Sequence, residues 1–246
     1  MARFFLPKEK IHGSRGVIDG QELAHLGRVL RLRAGDSVTV FDDSGWEHDA
    51  VVASLSAAQG ELKILRSYET GRESALPITL SIGLTKGEKI DFVVEKATEL
   101  GVQKIVPFTS EYAVPKLDAE KIAKRTERWQ KIAVSAAKQC GRTRVPEILP
   151  LCDFHEFISR PWPGTLKLIF WEKETDQSLQ QVYDSHPESR ALLLAVGPEG
   201  GFTVEEVAAA RSQNFAPVQI GRRILRAETA ALAALALVQY LWGDLK

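Results

Sequence analysis

Apolar and polar residues alternate with a period of two in the first part of the chain, which indicates a set of short β-strands. Three strands are predicted there: Ser37–Phe41, Trp46–Leu55 and Glu61–Leu65. The turn residues Asp42–Gly45 separate the first two strands, so these are expected to pair as a β-hairpin. A short helix is predicted over Glu22–Leu32. Strands of this length are typical of a small β-barrel, and residues 1–71 are predicted to form one as a separate domain.

A polar stretch that ends at Pro77 separates this part from a second one, in which strands and helices alternate. Leu166–Phe170 and Ala191–Val196 are almost entirely apolar, which is typical of parallel strands buried on both faces. Further strands are predicted over Ile78–Ile82, Lys104–Phe108 and Val218–Ile220, and helices over Lys86–Leu100, Asp118–Cys140 and Ala227–Leu241. A capping box, Thr203–Glu206, is expected to begin another helix. Residues 75–246 are therefore predicted to form an α/β domain with a mostly parallel sheet.

Charges balance over the whole chain but separate locally. The 246 residues include 32 Lys and Arg and 32 Asp and Glu. Met1–Arg33 holds seven basic residues against three acidic ones, and Lys116–Arg144 holds nine against three. Such clusters are typical of surfaces that face a polyanion, or simply of solvated faces, and charge alone does not decide between the two.

The remaining composition excludes several classes of protein. Two cysteines cannot form a disulfide framework and fit a reducing compartment. The N-terminus lacks the apolar core of a signal peptide, and the run Ala230–Trp242 is too short to span a bilayer. We therefore expect a soluble, cytoplasmic protein with no membrane partner. The motifs of serine hydrolases, P-loop proteins and dinucleotide-binding proteins are missing, and the scattered histidines predict no metal site.

A glycine-rich segment follows the apolar strand that ends at Val196. The residues from Val196 to Phe202 read Val-Gly-Pro-Glu-Gly-Gly-Phe. Ligands of open α/β sheets bind beyond the carboxyl ends of the strands, so the location suits a binding site. Gly197, Gly200 and Gly201 would let the backbone approach a ligand closely. A tight turn between a strand and a helix explains the same residues equally well.

A second segment of this kind, Gly221–Ala230, also lies between a predicted strand and a predicted helix. It combines a glycine with two apolar residues, Ile224 and Leu225, and with three arginines, Arg222, Arg223 and Arg226. Glu228 and Thr229 occupy positions where acidic and capping residues stabilise the start of a helix, which is the structural alternative to a role in binding.

Together the two segments resemble the cofactor loops of the SPOUT methyltransferases, and within them the family that methylates N3 of a uridine in bacterial 16S ribosomal RNA. The resemblance continues in other segments: Arg3–Phe5, His25–Arg31, Arg33–Val38, Leu84–Asp91, Lys96–Gly101 and Ser135–Arg142. It implies a PUA-like β-barrel domain at residues 1–71 and a SPOUT domain with a deep trefoil knot at residues 75–246. It also implies S-adenosyl-L-methionine as cofactor, a homodimer, and 16S ribosomal RNA or the small-subunit particle as partner.

The resemblance also assigns residues to roles. The implied cofactor-binding residues are Trp171, Glu172, Val196, Gly197, Pro198, Glu199, Gly200, Gly201, Ile220, Gly221, Ile224, Leu225, Arg226 and Thr229. Arg226 is predicted to stabilise the negative charge of a deprotonated uracil, with Glu199 or Glu228 as general base. The predicted partners of RNA phosphates are Arg3, Arg28, Arg31, Arg33, Lys86 and Lys89.

Three alternatives stay open at this point. The first is a SPOUT methyltransferase that acts on tRNA or on another ribosomal base. The second is an RNA-binding factor of ribosome assembly without catalytic activity. The third is a small-molecule enzyme that binds a phosphate in the glycine-rich loops, although the usual spacing of a phosphate-binding motif is missing.

Overall fold

The computed structural model describes residues 2–112 and 118–246. Contacts within the chain divide it into two units, Met1–Glu73 with Ala137–Val145, and Ser74–Ala136 with Pro146–Lys246. The domain limits 1–71 and 75–246 stay a prediction. Lys116, which belongs to the second basic cluster of the sequence, lies outside the described residues.

Six strands within residues 2–73 form the sheet of the first unit. They are β1 Ala2–Phe5, β2 Ile11–His12, β3 Arg15–Asp19, β4 Ser37–Phe41, β5 Trp46–Leu55 and β6 Gln59–Glu69. The sheet has the order β1-β4-β5-β6-β3-β2, in which β1 and β4 are parallel and the other neighbours antiparallel. The predicted hairpin of β4 and β5 is confirmed, whereas β6 extends beyond the predicted strand at both ends. One apolar cluster, which includes Phe4, Leu26 and Val38, forms the core.

The helical segment of the first unit differs from its prediction. Helix α1 spans only Gly20–Ala24, and a wider, π-helical turn continues it over His25–Val29. Leu26 is fully buried in this turn and anchors it to the core. The chain leaves the helix soon afterwards, because Arg31 adopts a left-handed backbone with φ of 56°. The prediction of one regular helix as far as Leu32 was therefore wrong.

Arg3 was predicted to bind RNA phosphates, and the structure contradicts this. Its guanidinium donates to the carbonyl oxygens of Ala137 and Arg142 at 2.8 and 2.7 Å and lies 3.4 Å from the carboxylate of Glu47. It also lies 4.3 Å from the centre of the Phe41 ring. Only 12% of its side chain is exposed, so this cation stabilises the first unit and is not available to a phosphate.

The carboxylate of Glu73 holds the segment 137–145 within the first unit. It accepts hydrogen bonds from the Arg142 guanidinium at 2.8 Å and from the backbone N–H groups of Thr143 and Arg144 at 2.8 and 3.0 Å. Charge-assisted bonds of this kind are stronger than neutral ones. A residue close to the start of the second unit in sequence thereby fixes a segment that is seventy positions away.

Seven strands form one sheet in the described part of the second unit, and all their ladders are parallel. The strands are β7 Ile78–Gly83, β8 Lys104–Thr109, β9 Glu147–Ile148, β10 Cys152–Asp153, β11 Leu166–Phe170, β12 Leu192–Val196 and β13 Phe215–Val218. The helices are α2 Lys89–Glu99, α3 Ala119–Cys140, α4 Phe154–Ser159, α5 Leu179–Ser185, α6 Val204–Ser212 and α7 Ala227–Leu241. The predicted α/β fold with a mostly parallel sheet is therefore confirmed. In the described ranges, we find no helix with both the length and the apolar character that crossing a membrane requires.

In the second unit, the predicted limits of strands and helices are correct where the sequence contains long apolar runs. Strand β11 and helix α7 have the predicted limits, and Thr203 and Glu206 form the predicted capping box at the start of α6. The last strand was predicted over Val218–Ile220, but it spans Phe215–Val218. Pro217 lies inside β13, at the edge of the sheet, where a residue without an N–H group is tolerated. The short elements β9, β10, α4 and α5 were not predicted.

The strand order brings the ends of distant strands together. Strand β12 lies between β7 and β11, and β13 lies beyond β11. The last residues of these strands are aligned, since Val196 pairs with Ile82 and with Phe170, and Phe170 pairs with Val218. The loops that follow these four strands therefore begin at the same edge of the sheet.

A cluster of phenylalanines packs on one side of this sheet. The ring of Phe157 is stacked on that of Phe108, with 5.3 Å between their centres, and lies 5.7 Å from that of Phe215. Phe202, which immediately follows the glycine-rich loop, belongs to the same cluster and stacks on Phe108 with 6.0 Å between the ring centres.

Substitution of Phe157 by alanine should lower the free energy of unfolding by about 3–5 kcal/mol, because it removes a fully buried ring and leaves a cavity. Guanidinium titration followed by circular dichroism measures this change. Phe92 is 46% exposed and serves as the matched control. Phe92→Ala should lower the free energy of unfolding by roughly 0.5 kcal/mol or less. An equal decrease for the two variants would contradict a stabilising role of the phenylalanine cluster.

Candidate functional site

A pocket of about 510 Å³ opens in the second unit, beyond the carboxyl ends of β11, β12 and β13. Thirteen of the fourteen residues implied to bind a cofactor line it: Trp171, Glu172, Val196, Gly197, Pro198, Glu199, Gly200, Gly201, Ile220, Gly221, Ile224, Leu225 and Arg226. Thr229, the fourteenth, is exposed in the first turn of α7 and is not part of the lining. Three separate loops of the sequence therefore meet at one cavity.

The glycine-rich loop 197–201 turns sharply from β12 towards α6. The N–H of Gly201 donates to the carbonyl oxygen of Pro198 at 2.9 Å and closes the turn. Gly201 has a φ of 70°, which favours glycine, and a Cβ atom there would lie 2.8 Å from Oε1 of Glu172. The absence of a side chain thus brings the loop after β12 against the loop after β11.

Gly83, at the end of β7, allows the loop after β12 to lie close to the backbone of β7. A Cβ atom on Gly83 would lie 2.5 Å from Cδ of Pro198, which no side chain could accommodate without displacing the loop. Gly83 was not among the predicted site residues. The available signal was a glycine at the carboxyl end of a predicted strand, a position where the backbone of a neighbouring loop often lies close.

Glu199 is bound by residues that follow β7. Its Oε1 atom accepts a hydrogen bond from the ammonium of Lys89 at 2.8 Å and from the backbone N–H of Lys86 at 3.2 Å. Partial burial acts to raise the pKa of Glu199, but these donors outweigh it and the pKa is lowered. A carboxylate with a lowered pKa is a weak base at neutral pH, which argues against Glu199 as the proton acceptor.

Lys89 was predicted to bind RNA phosphates, but its ammonium is paired with Glu199 and it lines the pocket. The side chain of Lys86 is exposed at the surface of the same unit. Arg28, Arg31 and Arg33 are exposed in the first unit.

The loop 221–226 supplies the most exposed wall of the pocket. Ile224 is 83% exposed although it lines the cavity. Arg223 and Arg226 also line the cavity, whereas Arg222 does not. Within residues 2–112 and 118–246, none of these three arginines forms an ion pair, so their positive charge faces solvent or a ligand.

Glu228 lies in the first turn of α7 and does not line the pocket, although Ala227 and Ala230 do. Its Oε2 atom is buried and makes no hydrogen bond to any described residue. A buried carboxylate oxygen without a partner is costly, and such exceptions often have a functional reason.

The pocket also contains residues that were not predicted to bind the cofactor. They are Phe170, Val218, Gln219, Arg223, Ala227 and Ala230, with Lys89 as a lining residue. Most of them adjoin a predicted binding residue in sequence, so extending each predicted loop by one or two positions would have found them. No cluster of His, Cys, Asp and Glu that could hold a metal ion occurs in the described parts of the chain.

A parallel sheet with a glycine-lined pocket beyond its carboxyl edge defines an α/β protein that binds an organic ligand of small size. Comparison with known families defines the class of protein more closely than the fold and the pocket do. The model described as RNA methyltransferase domain matches residues 72–239, and that described as RNA methyltransferase PUA domain matches residues 18–65.

Relatives match over almost the whole chain. The ribosomal RNA small subunit methyltransferase E of Bacillus subtilis (strain 168) is 32% identical, over 98% of this chain and 96% of that protein. The protein of the same name from Synechocystis (strain PCC 6803) is 33% identical, over 97% and 77%. A crystal structure of a ribosomal RNA small subunit methyltransferase E from Neisseria gonorrhoeae, bound to S-adenosyl methionine, is 38% identical and covers 100% of both chains with a TM-score of 0.89. The chain belongs to the RNA methyltransferase family that these small subunit methyltransferases E represent.

Substitution of Lys89 by glutamine should raise the pKa of Glu199, because it removes the ammonium and leaves the effect of burial less opposed. A titration of the glutamate carboxyl carbons by NMR measures the pKa directly. Lys86→Gln is the matched control, since Lys86 binds Glu199 through its backbone N–H and the substitution keeps that donor. An equal pKa of Glu199 in the Lys89→Gln variant and the unchanged protein would contradict the role of the ion pair.

Proposed function

We propose that this protein transfers a methyl group from S-adenosyl-L-methionine to N3 of a uridine in the 16S ribosomal RNA of the small subunit. The observation that carries the proposal is the full-length likeness to a ribosomal RNA small subunit methyltransferase E whose structure was determined with S-adenosyl methionine. The position at N3 rests on the resemblance of the sequence segments to the uracil-N3 methyltransferases.

The pocket fits this cofactor in size and in chemistry. Its volume of about 510 Å³ is typical of small-molecule sites. Val196, Ile220 and Leu225 provide an apolar wall for an adenine ring, and Glu172 and Glu199 provide carboxylates for positively charged groups. A Cβ atom on Gly221 would meet nothing within 4 Å, so space remains beside the backbone of that wall.

When bound, S-adenosyl-L-methionine supplies an electrophilic methyl group attached to a positively charged sulfur. The contribution of the protein to the reaction is then largely positional. The three loops are fixed by the ends of buried strands and by the close contacts at Gly83 and Gly201. A rigid pocket of this kind holds reactants in the orientation that the transfer requires.

The nucleophile needs help from the protein, because N3 of neutral uracil carries a proton. Its loss leaves a negative charge that is shared by the two carbonyl oxygens of the base. Arg226 lines the pocket and lacks an acidic partner among the described residues, so its guanidinium is available to stabilise that charge.

Glu228 is the better of the two candidate bases. The pKa of Glu199 is lowered by its partners, and both its position and its hydrogen bonds fit a role in fixing the pocket loops. Glu228 keeps one buried oxygen without a partner and is flanked by lining residues. We therefore assign Glu199 to positioning, and Glu228, which lies beside the pocket and not in its lining, is the candidate for proton transfer.

The base must leave its stack before it can enter the pocket, and the RNA must be held while it does so. The exposed residues Arg28, Arg31 and Arg33 of the first unit and Lys86 of the second provide positive charge for phosphates. The proposal further includes domains at residues 1–71 and 75–246, a deep trefoil knot in the latter, and a homodimer. Exposed Leu237 and Tyr240 on α7 support the homodimer, because their apolar surfaces would be covered by a second copy.

Deletion of the gene should abolish 3-methyluridine in 16S ribosomal RNA, since the proposal makes this protein the source of that nucleoside. Mass spectrometry of nucleosides from purified small subunits measures the modification, and a plasmid copy of the gene should restore it. Retention of 3-methyluridine with loss of a different methylated nucleoside would assign the enzyme to another base. An unchanged set of nucleosides would favour an RNA-binding factor without catalytic activity.

Substitution of Arg226 by alanine should lower turnover roughly 100- to 1,000-fold, because it removes the cation that stabilises the developing charge. Transfer of radioactive methyl groups to the RNA measures turnover, and calorimetry with S-adenosylmethionine tests whether cofactor binding is kept. Arg222→Ala is the matched control, because Arg222 lies on the same loop and does not line the pocket. Similar turnover for the two variants, at saturating RNA, would remove the catalytic role of Arg226.

A further inference from the structure

Two aliphatic side chains protrude from the first unit at the end of the π-helical turn. Val29 is 67% exposed and Leu30 is 41% exposed, although both follow the fully buried Leu26 in the chain. Exposed apolar patches with a polar or charged rim commonly mark a contact site. We call residues Arg28–Arg33 the arginine turn.

Positive charge surrounds the two apolar side chains. Arg28, Arg31 and Arg33 are exposed, and within the described residues none of them is paired with a carboxylate. The other basic cluster of the sequence differs in this respect. Most of its lysines are neutralised by acidic neighbours: Lys121 by Asp118, Lys124 by Glu120, Lys131 by Glu127 and Lys138 by Glu22. Of the two basic clusters of the sequence, the one that contains the arginine turn therefore keeps more of its charge available to a polyanion.

Backbone hydrogen bonds hold the arginine turn in this conformation. The N–H of Leu30 donates to the carbonyl oxygen of His25, and that of Leu32 to Leu26, both at 3.0 Å. The N–H of Arg33 donates to the carboxylate of Asp36 at 2.7 Å. Arg31 adopts a left-handed backbone, which is unfavourable for a residue with a side chain and persists where surrounding structure enforces it. π-Helical turns are themselves frequent at functional sites.

We propose that the arginine turn docks ribosomal RNA, with Val29 and Leu30 lying against nucleobases that are unpaired or partly unstacked, while the arginines bind the flanking phosphates. An unpaired stretch of RNA offers both surfaces that this turn requires, apolar base faces and closely spaced negative charges. The family match of residues 18–65 to an RNA methyltransferase PUA domain includes the whole turn and favours RNA over an acidic protein or a lipid surface.

This inference rests on the proposed function for the identity of the RNA, and it adds a contact that depends on shape and apolar surface. A turn that binds only phosphates would associate with any RNA helix. A turn that also needs exposed base faces would favour distorted or single-stranded regions. Val29 and Leu30 would thus contribute to the choice of the substrate region, and the arginines to the strength and salt dependence of binding.

The test compares two kinds of substitution in the full-length protein. Fluorescence anisotropy with a 16S ribosomal RNA transcript, at several concentrations of KCl, gives the Kd and its dependence on salt. Val29→Ser with Leu30→Ser should weaken binding roughly tenfold, because apolar contacts are lost, and should leave the salt dependence unchanged. Arg28→Ala with Arg31→Ala should lower the slope of log Kd against log salt by roughly 0.7 to 0.9 for each lost phosphate contact.

Leu65→Ser is the matched control, since Leu65 is 59% exposed on β6 of the same unit and is not part of the turn. It should leave the Kd unchanged. Val29→Ser alone is the second variant if the double substitution disturbs folding, which thermal unfolding detects.

Three results would overturn the inference. The first is an unchanged Kd for the Val29 and Leu30 variants, and the second is a loss of affinity in these variants equal to that of Leu65→Ser. The third is a reduced salt slope for the arginine variants while the Val29 and Leu30 variants keep their affinity. Weaker binding to assembled small subunits but not to the transcript would assign the two side chains to a ribosomal protein. Binding to vesicles of anionic lipid that depends on Val29 would assign them to a membrane surface. Methyl transfer by the unchanged protein is measured separately, so its absence would refute the proposed function and leave the result on RNA docking intact.

Discussion

Parallel pairing of buried strands is the constraint on which the candidate site depends. The ends of β7, β12, β11 and β13 are aligned in the ladders, so the chain must turn away from the sheet at one common edge. The loops at that edge can meet only where side chains are missing, and Gly83 and Gly201 supply these gaps. Burial of the strands fixes the position of the loops, and the glycines allow their backbones to come together around a ligand.

The ionic groups of the chain fall into two sets with different consequences. Arg3, Glu73 and the pair of Lys89 with Glu199 are bound to partners and hold segments in place. The arginines of the loop 221–226 and of the arginine turn carry no such partner among the residues that the structure describes. Since a cation that is already paired gains little from a phosphate, the unpaired set is the better guide to where RNA would lie.

Local patterns in the sequence predicted the elements that long apolar runs or turn residues define. Strand β11, helix α7 and the hairpin of β4 and β5 were predicted from apolar patterns and turn residues. The two glycine-rich segments were recognised by their position after strands. What could not be predicted depends on the tertiary fold. The carbonyl oxygens that Arg3 binds lie more than a hundred positions away, and the lysine that binds Glu199 becomes its neighbour only through the strand order. The limits of β13 were also missed: Pro217 lies inside this strand, and nothing local shows that the strand is at the edge of the sheet.

Helix α3 begins in the second unit, and its last turn with the following segment belongs to the first. During synthesis, the strands of the first unit leave the ribosome long before this segment does. The carbonyl oxygens that satisfy the Arg3 guanidinium, and the N–H groups that satisfy Glu73, are therefore absent until residue 145 has emerged. The first unit therefore cannot be completed until residues 74–136 of the second unit have been made. Its strands can pair early, but Arg3 and Glu73 stay hydrated until a segment that follows this part of the second unit has been translated.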